Sequence, residues 1–211
     1  MFKPFATALA LATLSVAAFG GLTATPASAQ ATEAQQVQIP ELVLGNPQSE
    51  VTLVEYASYT CPHCANFHAN VFKDLKRDYI DTGKIRFVYR EVFFDRPGLW
   101  AAMVARCGGD MRYFGIQDML YAQQQDWATA GSGEAVAASL QKIGLTAGLT
   151  QEQLQTCMSD GATAQALITT YETNIKADDV TSTPTLILNG KKHSNMSYAD
   201  LKKLLDAELA K

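Results

Sequence analysis

A chain of 211 residues is long enough for one domain with a sizeable core, or for a small domain carrying a large insertion, and too short for two full domains. With 47% apolar residues and a formal net charge of −4, the composition is that of a soluble globular protein. It excludes intrinsic disorder and offers no polybasic surface for nucleic acid.

The first residues differ from the rest. Lys3 precedes a long apolar stretch from Phe5 to about Leu22, and the small-residue triplet Ala27-Ser28-Ala29 follows. That is the pattern of a secretory signal peptide over residues 1–29, cleaved after Ala29. An uncleaved anchor is the competing reading, but the stretch is rich in Ala, Thr, Ser and Gly and the A-x-A site sits at a suitable distance. No later segment approaches the ~20 apolar residues of a membrane span. Residues 30–40 are polar and small, a flexible leader too short for a dimerisation domain, so a monomer is expected.

Leu42-Val43-Leu44 reads as a short strand, Gly45-Asn46-Pro47 as a turn, and Val51 to Ala57 as a second strand dense in β-formers. After Cys64 the apolar residues Phe67, Val71, Leu75 and Tyr79 recur every fourth position with charged residues on other faces, which predicts an amphipathic helix. Gly83 ends it. Lys84 to Val92 returns to strand character, and a strand-helix-strand unit predicts a parallel pairing. Residues 97–179 are helical in pattern, punctuated by glycines, with Thr150 and Gln153 placed as a capping box. Four or five helices fit there. Thr185 to Leu188, the turn Asn189-Gly190 and Lys191 onward form a hairpin, and Ser197 caps a final helix carrying Leu201, Leu204 and Leu205. The order predicts an α/β domain over 41–96 and 180–211, interrupted by a helical domain over 97–179.

Export changes the reading of the four cysteines, because disulfides persist outside the cytosol. Cys61-Pro62-His63-Cys64 falls where a buried strand meets a helix, so the Cys61 sulfur should meet the unpaired N–H groups of the helix N-terminus. Pro62 suits the first turn, where its missing N–H is not needed, and a protonated His63 adds positive charge beside the sulfur. Both favour the Cys61 thiolate. A fall from about 8.5 to about 5 stabilises the reduced form at neutral pH by roughly 2.7 kcal/mol, or about 60 mV, and so makes the disulfide a better oxidant. Cys64, one turn into the helix, is the resolving thiol. C-x-x-C also occurs in zinc ribbons, but a second closely spaced ligand pair is missing, so no metal site and no cofactor is expected. A purely structural disulfide would close too short a loop to help much.

Strand-C-P-H-C-helix, a helical insertion, and Ser182 to Gly190 (S-T-P-T-L-I-L-N-G) before a hairpin together resemble the DsbA family of the thioredoxin superfamily. The likeness spans about Leu42 to Ala210. It implies a thioredoxin-like α/β fold with an inserted helical domain, and a periplasmic dithiol oxidase that passes the Cys61–Cys64 disulfide to reduced exported proteins. It further implies a cis bond between Thr183 and Pro184, with backbone that pairs with substrate. Reoxidation would fall to a DsbB-like membrane protein linked to quinone. A disulfide isomerase or reductase of the same superfamily, and a metal-tolerance module using the thiols as ligands, are the alternatives.

Glu55 is an acid in a strand suited to burial, which disfavours its charged form. The resemblance adds proton transfer for the resolving thiol, while an edge position facing solvent is the alternative. His68 departs from the family pattern, where another acid stands, and is expected to be an ordinary exposed helix residue, as is His193 in the last hairpin. Cys107 and Cys157 both fall in the insertion. A disulfide between them is the simplest pairing and would stabilise by roughly 4 kcal/mol in the chain-entropy model; two buried free thiols or a second redox relay are the alternatives. Some DsbA relatives carry such a second, non-catalytic disulfide. Phe93, Phe94 and Trp100, near the insertion boundary, are expected in the core, with a binding groove as the alternative.

Overall fold

Strands β1 (Leu42–Gly45), β2 (Thr52–Ala57), β3 (Arg86–Glu91), β4 (Thr185–Leu188) and β5 (Lys191–Ser194) form one mixed sheet in the order β1-β3-β2-β4-β5. Only β2 and β3 run parallel, as the strand-helix-strand pattern predicts, and the remaining neighbours are antiparallel. The computed structural model describes residues 37–211, so the expected signal peptide over 1–29 and residues 30–36 of the expected leader lie outside the described residues.

β2 is the central strand, and its successive side chains serve two cores. Leu53 and Ala57 point into the larger one, whereas Val54 and Tyr56 join Val88, Val92 and Ile187 on the opposite face. Gly45 closes β1 with φ +82°, where an added Cβ would lie 2.4 Å from the Ile85 carbonyl oxygen, so only glycine fits. Asn189 and Gly190, at φ 46° and 81°, make the tight turn between β4 and β5.

The helix after the cysteines, α1, covers residues 62–80. It is α-helical at Pro62–Phe67 and Lys73–Leu75 and π-helical at His68–Phe72 and Lys76–Ile80. The wider π turns let two adjacent stripes face the core at once, Phe67, Val71, Leu75 and Tyr79 on one and Cys64, His68 and Phe72 on the other. The insertion holds α2 (Arg96–Cys107), α3 (Gly109–Ala122), α4 (Gln124–Ala128), α5 (Gly133–Thr146), α6 (Gln151–Ser159) and α7 (Gly161–Ala177). This is one more helix than the glycine punctuation suggests, because α3 and α4 break at Gln123 (φ −109°, ψ 16°), which no turn residue announces. Thr150 and Gln153 form the reciprocal capping box at α6, and Ser197 caps α8 (Tyr198–Leu209).

The larger core runs without a break from the sheet through α1 into α2, α3, α5, α6 and α8. Tyr171 and Ile175 of α7 cover the other face. The inserted helices therefore share the sheet's core. The result is an α/β thioredoxin-like fold with a helical insertion.

Candidate active site

Cys61 sits at the N-cap of α1 with extended backbone (φ −80°, ψ 117°), and Pro62 occupies the first turn. Cys61 is 8% exposed and Cys64 fully buried, so a molecule arriving at the surface reaches the first sulfur and not the second. Both stand as thiols, the reduced state of the pair. The Cys61 Sγ–H points at the Thr183 carbonyl oxygen, 3.6 Å away, and the Thr183–Pro184 peptide bond is cis. The sequence separates these residues by 122 positions; the sheet brings them together because β4, which follows Pro184, pairs with β2, which leads to Cys61.

The two thiols are driven apart chemically. The Cys64 S–H beside it is the largest influence on Cys61 and lowers its pKa from 9.0 to about 5 against opposing burial, helped by Thr183 and the backbone N–H groups of Cys64 and His63. Burial pushes the Cys64 thiol far up, with the neighbouring Cys61 sulfur and the Glu55 carboxylate adding to it. The sequence credited His63 with charge; here the imidazole is exposed and the help comes from its amide.

Removing the largest influence tests this account. In the reduced protein the Cys61 thiolate absorbance should titrate with a midpoint of about 5, and Cys64→Ala should move that midpoint up toward 9.0. The depressed value also fixes the sign of the stability effect. Thiolate stabilisation of the reduced fold is full above pH 9.0, partial at neutrality, and lost as pH falls through about 5. A midpoint that Cys64→Ala leaves in place would shift the cause to the helix N-terminus alone.

Glu55 is fully buried in the central strand, opposite Tyr89 of β3 and Leu186 of β4, which removes the solvent-facing alternative. His68 overturns its sequence reading. It is 5% exposed, its Nε2 lies 3.2 Å from both Glu55 oxygens, and its ring stacks on Tyr121 at 4.1 Å between centroids. The signal was present: position 68 lies four residues after Cys64, so both share one helix face. An amphipathic pattern drawn through Phe67 and Val71 left that stripe out.

Gln124 was missed altogether. From α4 its buried Nε2 donates to the carbonyl oxygens of Tyr59 (2.8 Å) and Cys61 (2.9 Å), which ties the insertion to the loop that presents the first cysteine. Nothing local in the sequence marks it. His193 is half-buried in β5, opposite Leu186. Among the aromatics, Phe93 packs on Tyr171 and Trp100 is partly buried against the main core, but Phe94 is 60% exposed, contrary to the core expectation. Cys107 at the end of α2 and Cys157 in α6 are bonded, with S–S 2.17 Å. Among the described residues no cluster of three His, Cys, Asp or Glu is placed to hold a metal ion.

A family model described as Thioredoxin matches residues 38–207. A Rickettsia bellii protein named as a protein-disulfide oxidoreductase is 36% identical over 167 residues, which are 79% of this chain and 63% of that protein. This chain thus spans less than two thirds of the length of that relative. Disulfide bond formation protein D of Bacillus subtilis is 27% identical over 176 residues, 79% of this chain and 76% of that one. The crystal structure of alpha-DsbA1 from Wolbachia pipientis matches with a TM-score of 0.73 at 27% identity, over 82% of this chain and 94% of that one. A mixed sheet with a C-P-H-C pair at a helix start, a cis-proline facing it and a helical insertion accompany these likenesses, and the chain belongs to the DsbA family of the thioredoxin superfamily.

Proposed function

We propose that the protein is an exported dithiol oxidase, which accepts electrons from reduced proteins at Cys61 and closes its cycle through Cys64. The observation that carries this reading is the unequal placement of the two sulfurs, Cys61 8% exposed at the N-cap of α1 beside the cis Thr183–Pro184 bond and Cys64 fully buried, with the Cys61 pKa lowered to about 5 and that of Cys64 raised. In the oxidised enzyme a substrate thiolate attacks Cys61 Sγ, the enzyme S–S bond breaks, and Cys64 leaves as a thiolate that takes up a proton. Glu55, whose charge acts on Cys64, is the group that relays that proton. A second substrate thiolate then attacks the substrate sulfur of the mixed disulfide. The Cys61 thiolate departs as a stabilised leaving group, so the substrate gains a disulfide and the enzyme two electrons.

The backbone at Thr183 and Pro184 lies beside the reacting sulfur and offers strand-like contact to an extended substrate without reading its side chains. Reoxidation falls to a quinone-linked membrane protein of the DsbB kind. The protein works as a monomer in the periplasm after cleavage behind Ala29, which the intact mass of the exported chain checks.

Equilibration of the mature protein in glutathione buffers tests the oxidase direction. A reduction potential well above about −200 mV is expected, and a value near about −270 mV would place the protein with reductants instead. Cys107→Ser combined with Cys157→Ser should leave the potential in place and lower unfolding stability by up to roughly 4 kcal/mol, since that bond braces α2 against α6 across a separation of 50 residues.

A further inference from the structure

A proton that leaves or joins Cys64 has no direct route to water. Cys64 and Glu55 are both 0% exposed, and the Glu55 charge acts on Cys64, so neither group exchanges a proton with solvent directly. His68 is the next group outward. One ring nitrogen, Nε2, meets both Glu55 oxygens at 3.2 Å. The other, Nδ1, is buried without a protein partner. A lone buried ring nitrogen is costly for a group whose only duty is packing.

The His68 side chain also lines a cavity of about 250 Å³ between α1 and α3, together with Phe72, Lys73, Lys76, Asp118 and Tyr121. Lys73 and Asp118 at its rim are exposed, so the cavity opens to solvent. Imidazole is suited to such a place because it can take a proton on one nitrogen and release one from the other near neutral pH.

We propose that His68 passes protons between Glu55 and water in this cavity each time Cys64 changes protonation state. The inference rests on Cys61 and Cys64 being a redox pair. When Cys64 attacks a mixed disulfide on Cys61, the Cys64–Cys61 bond forms and the bond from Cys61 to the partner sulfur breaks. The Cys64 proton goes to Glu55, a proton crosses from Glu55 to Nε2, and one leaves Nδ1 for the cavity. Cys64 loses one proton, solvent gains one, and the Glu55–His68 pair ends with its charge unchanged. The reverse half-cycle runs the same path inward and resets the hydrogens on the ring, so the stacked imidazole need not turn over.

His68 acts through Glu55 and is a positioning residue. The groups that face it are Glu55 from β2, the hydroxyl pair Tyr89–Tyr121 from β3 and α3, Asp118 from α3, and Cys64, Lys73 and Lys76 from its own helix. Of these, only Asp118, Lys73 and Lys76 reach the rim. Their charges shape the local pH dependence without lying between Glu55 and Nε2.

The test loads glutathione on Cys61 of the full mature protein and follows its release as Cys64 attacks, a readout independent of substrate and of the direction of the physiological reaction. His68→Gln keeps a donor toward Glu55 but cannot hand a proton on. It should release glutathione about tenfold more slowly, a smaller loss than direct acid-base catalysis because Glu55 remains. Its rate should also rise with added imidazole buffer while the native rate does not. The Cys61 thiolate midpoint should stay in place.

A variant as fast as native, or one that is slow but indifferent to buffer, would overturn the relay and leave His68 an anchor for Glu55. If native protein itself releases no glutathione, the redox-pair reading fails and the relay with it. Should His68→Gln not fold, native protein in heavy water decides. A slower release supports coupled proton transfer, and an unchanged rate overturns it.

Discussion

Cys61→Ser should abolish disulfide exchange, whereas Cys64→Ser should leave a protein that reacts once and stops. The two outcomes differ because the sulfurs have different surroundings. Cys61 is the sulfur at the surface, held as a thiolate near neutral pH, and a serine hydroxyl there is neither nucleophile nor leaving group at that pH. Cys64 lies under the surface with its proton held tightly by burial. Without it, Cys61 still attacks a substrate disulfide, but nothing resolves the product, and mixed disulfides should accumulate at up to one per enzyme. Non-reducing electrophoresis with a disulfide-bonded client peptide distinguishes the cases. Turnover by Cys64→Ser at more than a tenth of the native rate would sink the assignment of Cys64 as the resolving thiol.

The largest expected stability effect lies away from the cysteines. Arg106, in the last turn of α2, donates from Nε and Nη2 to the two oxygens of Glu91 at 2.8 and 2.7 Å, and the Tyr113 hydroxyl donates to Glu91 at 2.9 Å. Glu91 ends β3 and is 8% exposed. The bidentate pair therefore couples the sheet to the insertion in surroundings where a lone carboxylate is costly. Arg106→Leu leaves that carboxylate stranded and should destabilise the protein by about 3–5 kcal/mol. Adding Glu91→Leu should recover much of the loss, because the double variant buries no unpaired charge. Urea unfolding with an unchanged m-value measures both. A loss below about 1 kcal/mol for Arg106→Leu would mean that the pair behaves like an exposed one.

The same division between local and long-range effects decides what the sequence reveals. Five strands, the hairpin turn at Asn189-Gly190, the capping box at Thr150 and the parallel β2–β3 pairing follow from residues close together in the chain, whose turn chemistry and periodicity act over a few positions. The placement of Cys61 and Cys64 is legible for the same reason: four residues at a strand-helix junction set both sulfurs at the start of α1. The expected helix stripe was right about Phe67, Val71, Leu75 and Tyr79 and incomplete, because a π-helical stretch starting at His68 brings a second stripe to the core. Phe94 shows the converse, an apolar residue that no local rule sends to the surface.

By itself the sequence determined the α/β class, the helical insertion and the position of the Cys61 and Cys64 pair at a helix start, since each rests on a local pattern. Only the tertiary structure decided that Glu55 pairs with His68 across 13 positions, that Gln124 holds the Cys61 loop across 63, and that Arg106 meets Glu91 across 15. Buried polar groups must find partners wherever packing places them. The identity of those partners depends on how helices and strands seat against one another, which no spacing along the chain records.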